Sequence, residues 1–79
     1  MENRIEVSLA LNLQKYAPYK GKSFYVEIQF PCVVQDVIRQ LQLPEDEPFL
    51  IAINGRLASV DTPLHPGDKV KFLPVLAGG

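Results

Sequence analysis

The hydrophobic period of this chain changes twice, and nothing else in the sequence constrains its fold as much. Between Pro31 and Pro44, Val34, Val37, Ile38 and Leu41 fall at i, i+3, i+4 and i+7. That spacing predicts a helix over about Val33 to Leu41 with a single apolar stripe, ended by Pro44. Asp36 belongs to its first turn, where a negative charge favours the helix dipole. On either side of this segment the period is two. Ile5, Val7, Leu9 and Leu11 alternate with polar or small residues, and Phe24, Val26, Ile28 and Phe30 alternate with Tyr25, Glu27 and Gln29. Each run predicts a half-buried strand, and the two make a hairpin with a long connection, because Leu13 to Lys22 carries Pro18 and Gly21 and reads as a loop. After the helix, Phe49, Ile51 and Ile53 give a third strand, with Leu50 and Ala52 on its other face. Asn54-Gly55 predicts a type I′ turn, and Arg56 to Val60 returns as a short strand. Pro66-Gly67 suits the middle of a type II turn. Lys69 to Val75 closes the chain as a strand, with Val70 and Phe72 on one face and Lys71 and Leu73 on the other.

Strands before and after one helix predict an α+β fold, a mixed sheet of four to five strands with the helix packed across one face. Ile5, Val7, Leu9, Val26, Ile28, Val34, Val37, Ile38, Leu41, Ile51, Ile53, Val70 and Phe72 form the expected core. With 79 residues the chain is expected to be one domain, residues 1–79, near the size at which a single core is only marginally sufficient.

The same composition narrows the function. A net charge of −1 leaves no electrostatic footprint for nucleic acid or an anionic membrane. Lys15, Lys20 and Lys22, interleaved with Tyr16 and Tyr19, therefore read as solvated loop residues. The single cysteine, Cys32, excludes an intramolecular disulfide, and its expected role is structural burial rather than reactivity. Neither a signal peptide nor a membrane-length apolar run is visible, so a cytoplasmic protein, monomeric when free, is expected. His65 has no second histidine or cysteine for a metal and no serine–aspartate arrangement for nucleophilic catalysis, and reads as a turn residue. Glu45-Asp46-Glu47-Pro48 lacks the spacing of a calcium loop and reads as a solvated connector. The expectation is a protein with no intrinsic catalytic residue, no metal and no bound cofactor.

The chain's last residues, Pro74-Val75-Leu76-Ala77-Gly78-Gly79, offer a different kind of site. Two glycines without Cβ atoms can enter a slot too narrow for a side chain. Six extended residues reach at most about 20 Å, enough to carry the Gly79 carboxylate into a partner's active site. Residues 75–79 are read as a tail, with Ala77, Gly78 and Gly79 as its working end. Leu50, Ala52 and Leu73 should be exposed together on the sheet face away from the helix, as a docking patch. Phe72, Pro74 and Leu76, which flank Leu73 on the way to the tail, are assigned to the same docking set.

In order along the chain, Asn54-Gly55-Arg56, Thr62-Pro63-Leu64, Pro66-Gly67-Asp68-Lys69-Val70, Phe72-Leu73-Pro74 and Ala77-Gly78-Gly79 resemble the ubiquitin-like sulfur carriers. That family includes the small subunit of molybdopterin synthase and the thiazole sulfur carrier of thiamine synthesis. Leu13-Gln14-Lys15-Tyr16-Ala17-Pro18 is similar to the segment after the first strand in the molybdopterin-type members, and Val34-x-Asp36-Val37-Ile38 to their helix start. The resemblance implies a β-grasp fold. It also implies that an ATP-using adenylyltransferase related to ubiquitin activators adenylates Gly79, the ATP being the partner's substrate. A sulfur donor of the desulfurase or rhodanese type would then make the thiocarboxylate, and the large subunit of a synthase would accept the sulfur. The molybdopterin or tungstopterin type is favoured. A thiamine-thiazole or other sulfur-transfer carrier, and a ubiquitin-like modifier or interaction module, stand as alternatives.

Overall fold

The computed structural model describes residues 3–18, 23–44 and 48–75. The first alternating run forms β1 (Arg4–Leu9), in which half-buried and fully buried residues alternate strictly. The strand stops earlier than the alternation of Leu11 suggests. Ala10 donates its N–H to the Phe72 carbonyl at 3.0 Å, the chain turns at Leu11 with a φ of 53°, and a 3₁₀ helix runs over Leu11–Tyr16. Leu11 is thereby exposed, and Leu13, expected in a loop, lies in the core. β2 (Phe24–Glu27) pairs antiparallel with β1, which is the expected hairpin. It ends before Ile28 and Phe30, which pack half-buried against the core.

β3 (Cys32–Val33) leads directly into α1 (Val34–Leu41). The Asp36 carboxylate accepts the Val33 N–H at 2.8 Å, so it caps the first turn through a hydrogen bond as well as through the dipole. At the other end the helix stops before Pro44. Gln42 is left-handed with a φ of 57°, and the Leu43 N–H donates to the Ile38 carbonyl at 3.0 Å. That six-residue closure is the Schellman pattern, and Leu43 is buried beyond it.

β4 (Phe49–Ile53) and β5 (Arg56–Ala58) are joined by Asn54 at φ 51° and Gly55 at φ 85°, the positive pair that a type I′ turn requires. β5 is shorter than expected. The Val60 carbonyl accepts the Gln35 N–H at 2.9 Å, and this draws the chain toward the helix. β6 (Pro63–Leu64) then pairs with β3 as a separate two-stranded sheet, too short for any period to announce it. Gly67 at φ 88° makes the turn into β7 (Lys69–Pro74), with the Asp68 N–H donating to the His65 carbonyl at 3.1 Å.

The main sheet has the order β2-β1-β7-β4-β5. β1 and β7 run parallel and the other neighbours antiparallel. One helix lies on this mixed sheet, and its buried Val34, Val37 and Ile38 share a cluster with Ile5, Val7, Leu9, Val26, Ile51, Val70 and Phe72. This is the β-grasp arrangement. Leu13, Phe24, Cys32, Leu43 and Leu64 complete the core, while Ile28, Leu41 and Ile53 only flank it. Phe72 is fully buried, with the Phe49 ring edge-on at 5.5 Å between centroids.

Ile38 is 2% exposed at the centre of the helix–sheet contact. Ile38→Ala should lower unfolding free energy by about 2–5 kcal/mol in denaturant titrations, through lost transfer energy plus a cavity. Ile38→Asp should leave no cooperative unfolding transition, because it buries an unpaired carboxylate. A well-folded Ile38→Asp protein would show that the helix is not packed as described.

Candidate functional site

Because side chains alternate along a strand, the sheet presents a second face away from the helix. The register assembles it row by row. Leu50 on β4 lies opposite Leu73 on β7. In the next row Leu57, Ala52, Lys71 and Ser8 stand side by side on β5, β4, β7 and β1. Then come Lys69, Glu6 and Tyr25. Leu50 is 49% exposed and Leu57 79%, while Ala52 and Leu73 are half-buried. The structure thus brings together the three apolar residues expected on this face.

Leu57 is the member that sequence reasoning missed, although its position was available. A two-residue turn at Asn54-Gly55 pairs Ile53 with Arg56, so Ala52 must pair with Leu57 on the same face. Phe72, in contrast, has to be withdrawn from the docking set. It neighbours Leu73 on a strand, so it points to the opposite face, where it is fully buried. Pro74 pairs with Phe49 on the helix side and is half-buried there. Leu76, Ala77, Gly78 and Gly79 lie outside the described residues.

What the structure does show is the base from which they continue. β7 is hydrogen-bonded on both sides, to β1 and β4, and the Val75 N–H donates to the Pro48 carbonyl at 3.3 Å. The start of β7 is held as well. Asn54 donates its side-chain N–H to Asp68 at 3.0 Å and accepts the Lys69 N–H at 3.0 Å. Asp68 also accepts the His65 N–H at 2.8 Å, which makes His65 a turn residue. The strand that leads to Gly79 is therefore fixed at both ends.

Among the described residues, no three His, Cys, Asp or Glu side chains gather where they could hold a metal ion. No helix there is long and apolar enough to cross a membrane. Cys32 is buried. Burial pushes its thiol up from the ordinary value, and the Asp36 carboxylate adds to the shift. A raised pKa keeps the thiol neutral in the folded state, so its contribution to stability is fully present below the unfolded thiol's pKa and is lost as pH rises through the folded value. Alkylation at pH 7 should accordingly be much slower for native Cys32 than for the chain in denaturant. Equal rates in the two states would show that the thiol is accessible.

Comparison with known proteins places these features in context. The model of the ThiS family matches residues 8–79. A Haloferax volcanii protein of known solution structure is 27% identical with a TM-score of 0.79, covering 96% of this chain and 86% of that one. Subunit 1 of the molybdopterin-converting factor of Helicobacter pylori, in its complex with subunit 2, is 26% identical with a TM-score of 0.61, covering 96% and 99%. The thiamine biosynthesis protein ThiS of Geobacter metallireducens is 22% identical with a TM-score of 0.60, covering 94% and 99%. No curated protein matches by sequence.

Proposed function

We propose a function from one premise: the chain belongs to the ThiS family of ubiquitin-like sulfur carriers. The proposed chemistry is carried by Gly79. Its carboxylate oxygen attacks the α-phosphorus of ATP held by an adenylyltransferase of the ubiquitin-activator type, and pyrophosphate leaves. The outer sulfur of a persulfide on a desulfurase- or rhodanese-type donor then displaces AMP. A thiol reductant cleaves the resulting acyl disulfide, leaving the donor cysteine in a disulfide and Gly79 as a thiocarboxylate that passes its sulfur to a biosynthetic intermediate. A carboxylate is a poor electrophile until it is joined to a good leaving group, and dividing a hard substitution into covalent steps is a general device. In this reading the protein is a substrate and sulfur donor of the cytoplasm, monomeric when free, and ATP belongs to its partner.

The observation that carries the reading is the placement of β7. A strand bonded on both sides, carrying half-buried Leu73 opposite exposed Leu50, is followed in sequence by Leu76-Ala77-Gly78-Gly79. Such a base lets a partner grip the sheet while the glycines enter its pocket, where reacting atoms must come within about 3–3.5 Å. The molybdopterin or tungstopterin pathway is favoured, with a synthase large subunit as acceptor. The Helicobacter pylori relative, which is a complex of subunits 1 and 2, supports that choice. Delivery of sulfur to a thiazole precursor instead would favour the thiamine alternative.

Incubation with the cognate activating enzyme, ATP and a sulfur source should raise the intact mass by about 16 Da, the difference between sulfur and oxygen in a single covalent exchange. Deleting Gly79, or Gly78→Val, should abolish ATP–pyrophosphate exchange without changing the melting curve, because only Gly enters such a slot cheaply. Undiminished exchange by the Gly79 deletion would remove the sulfur-carrier reading in favour of an interaction module.

Leu73→Glu should weaken adenylation at least tenfold, a loss of about 1.4 kcal/mol in transition-state stabilisation, with only a small shift in melting. A large fall in melting with normal adenylation by the folded fraction would return Leu73 to the core.

A further inference from the structure

The face away from the helix is not uniformly a ridge. Beside the exposed leucines it sinks into an open hollow of about 470 Å³, lined by Ser8, Ala52 and Gly55 and by the longer Glu6, Lys69 and Lys71. The cause lies in the register. Ala52 stands between Leu57 and Lys71 in its row, and Ser8 follows Lys71, so two small side chains lie among larger ones. A Cβ added at Gly55 would meet nothing within 4 Å.

Two ammonium groups, on Lys69 and Lys71, line the hollow against one carboxylate, that of Glu6, so positive charge is in excess. The Glu6 carboxylate accepts the Ser23 hydroxyl at 2.8 Å, which engages it locally. Lys69 and Lys71 are both exposed, and among the described residues neither ammonium has a carboxylate partner. A small molecule is usually buried on most of its surface in its site, and an open depression on a sheet does not do that. The shape suits a side chain projecting from another protein, and the two lysines select for negative charge around it.

We propose that this hollow receives a projecting apolar side chain, flanked by carboxylates, from the enzyme that activates Gly79, and that Lys69 and Lys71 pair with those carboxylates. The proposal rests on the sulfur-carrier reading and adds to it the chemistry of the partner's surface. Apolar contact at Leu50, Leu57 and Leu73 supplies area but little orientation. A knob seated in the hollow, with two cations along β7, sets the register of docking and so the direction in which the chain leaves Val75. Charge complementarity of this kind acts mainly on the rate of encounter and on specificity.

The test measures binding and ATP–pyrophosphate exchange with the cognate activating enzyme for the wild type, Ala52→Phe, Lys71→Met and the Lys69→Glu/Lys71→Glu double variant, with a melting curve for each. Ala52→Phe fills the hollow and should weaken binding at least tenfold. The double variant should slow association about tenfold at low salt and flatten its salt dependence, with Lys71→Met intermediate. Both lysines are exposed, so the charge variants stay informative even if Ala52→Phe fails to fold. A wild type that is adenylated, together with lysine variants that bind as it does at every salt concentration, overturns this proposal and leaves the sulfur-carrier reading intact. An activating enzyme that never binds the wild type overturns both. Self-association of the wild type in sedimentation, lost on filling the hollow, would make the occupant a second copy and likewise overturn it.

Discussion

The parallel pairing of β1 with β7 is the contact on which the rest depends. It joins the first and last strands among the described residues through Glu6–Lys69, Val7–Val70, Ser8–Lys71 and Leu9–Phe72. The turn before β7 extends it, since the Arg4 carbonyl accepts the Gly67 N–H and the Asp68 carbonyl accepts the Glu6 N–H, each at 2.9 Å. Parallel neighbours cannot be joined by a tight turn and need a crossover. Here the crossover includes β2, the helix and the β4–β5 hairpin. Placing β7 at the centre also means that the strand leading to Gly79 frays only if the main sheet opens.

From that placement follows a division of labour between the two faces. Val70 and Phe72 point to the helix and are fully or almost fully buried; burying a side chain such as Phe72 is worth about 1.5–3 kcal/mol. Lys69, Lys71 and Leu73 point the other way, with both lysines exposed and Leu73 half-buried. One strand therefore stabilises the fold with every second residue and offers the alternate ones to solvent. Substitutions on the outward set can change recognition at little cost to the core, because the two sets share only a backbone.

Irregular features keep that strand in position. Asn54 adopts the first positive φ of its turn while its side chain bridges Asp68 and the Lys69 N–H, so one residue couples the β4–β5 hairpin to the start of β7. At the helix, Asp36 satisfies the Val33 N–H and its charge also discourages ionisation of nearby Cys32. The thiol thus packs in the core in surroundings that disfavour its ionisation.

Much of this was legible in the residue order. The change of period around Val34, Val37, Ile38 and Leu41 located the helix, and Asn54-Gly55 and Pro66-Gly67 located two turns, because these are local signals carried by φ preference and side-chain spacing. The apolar set Leu50, Ala52 and Leu73 followed from alternation, and the motif order with its glycine pair pointed to the sulfur carriers. Tertiary structure decided the rest. Leu13 entered the core through a 3₁₀ turn that has no apolar period to read, and β3–β6 paired strands of two residues, where a period has no meaning. Alternation alone puts Phe72 on the face opposite to Leu73, a local signal; that it is fully buried there was decided by the helix packed over it. Leu57 could be placed from the two-residue Asn54-Gly55 turn, whereas the hollow beside it exists only where Ser8 on β1 and Ala52 on β4 are set among longer side chains. Such features arise between segments distant in sequence, and their energies depend on which neighbours the fold supplies.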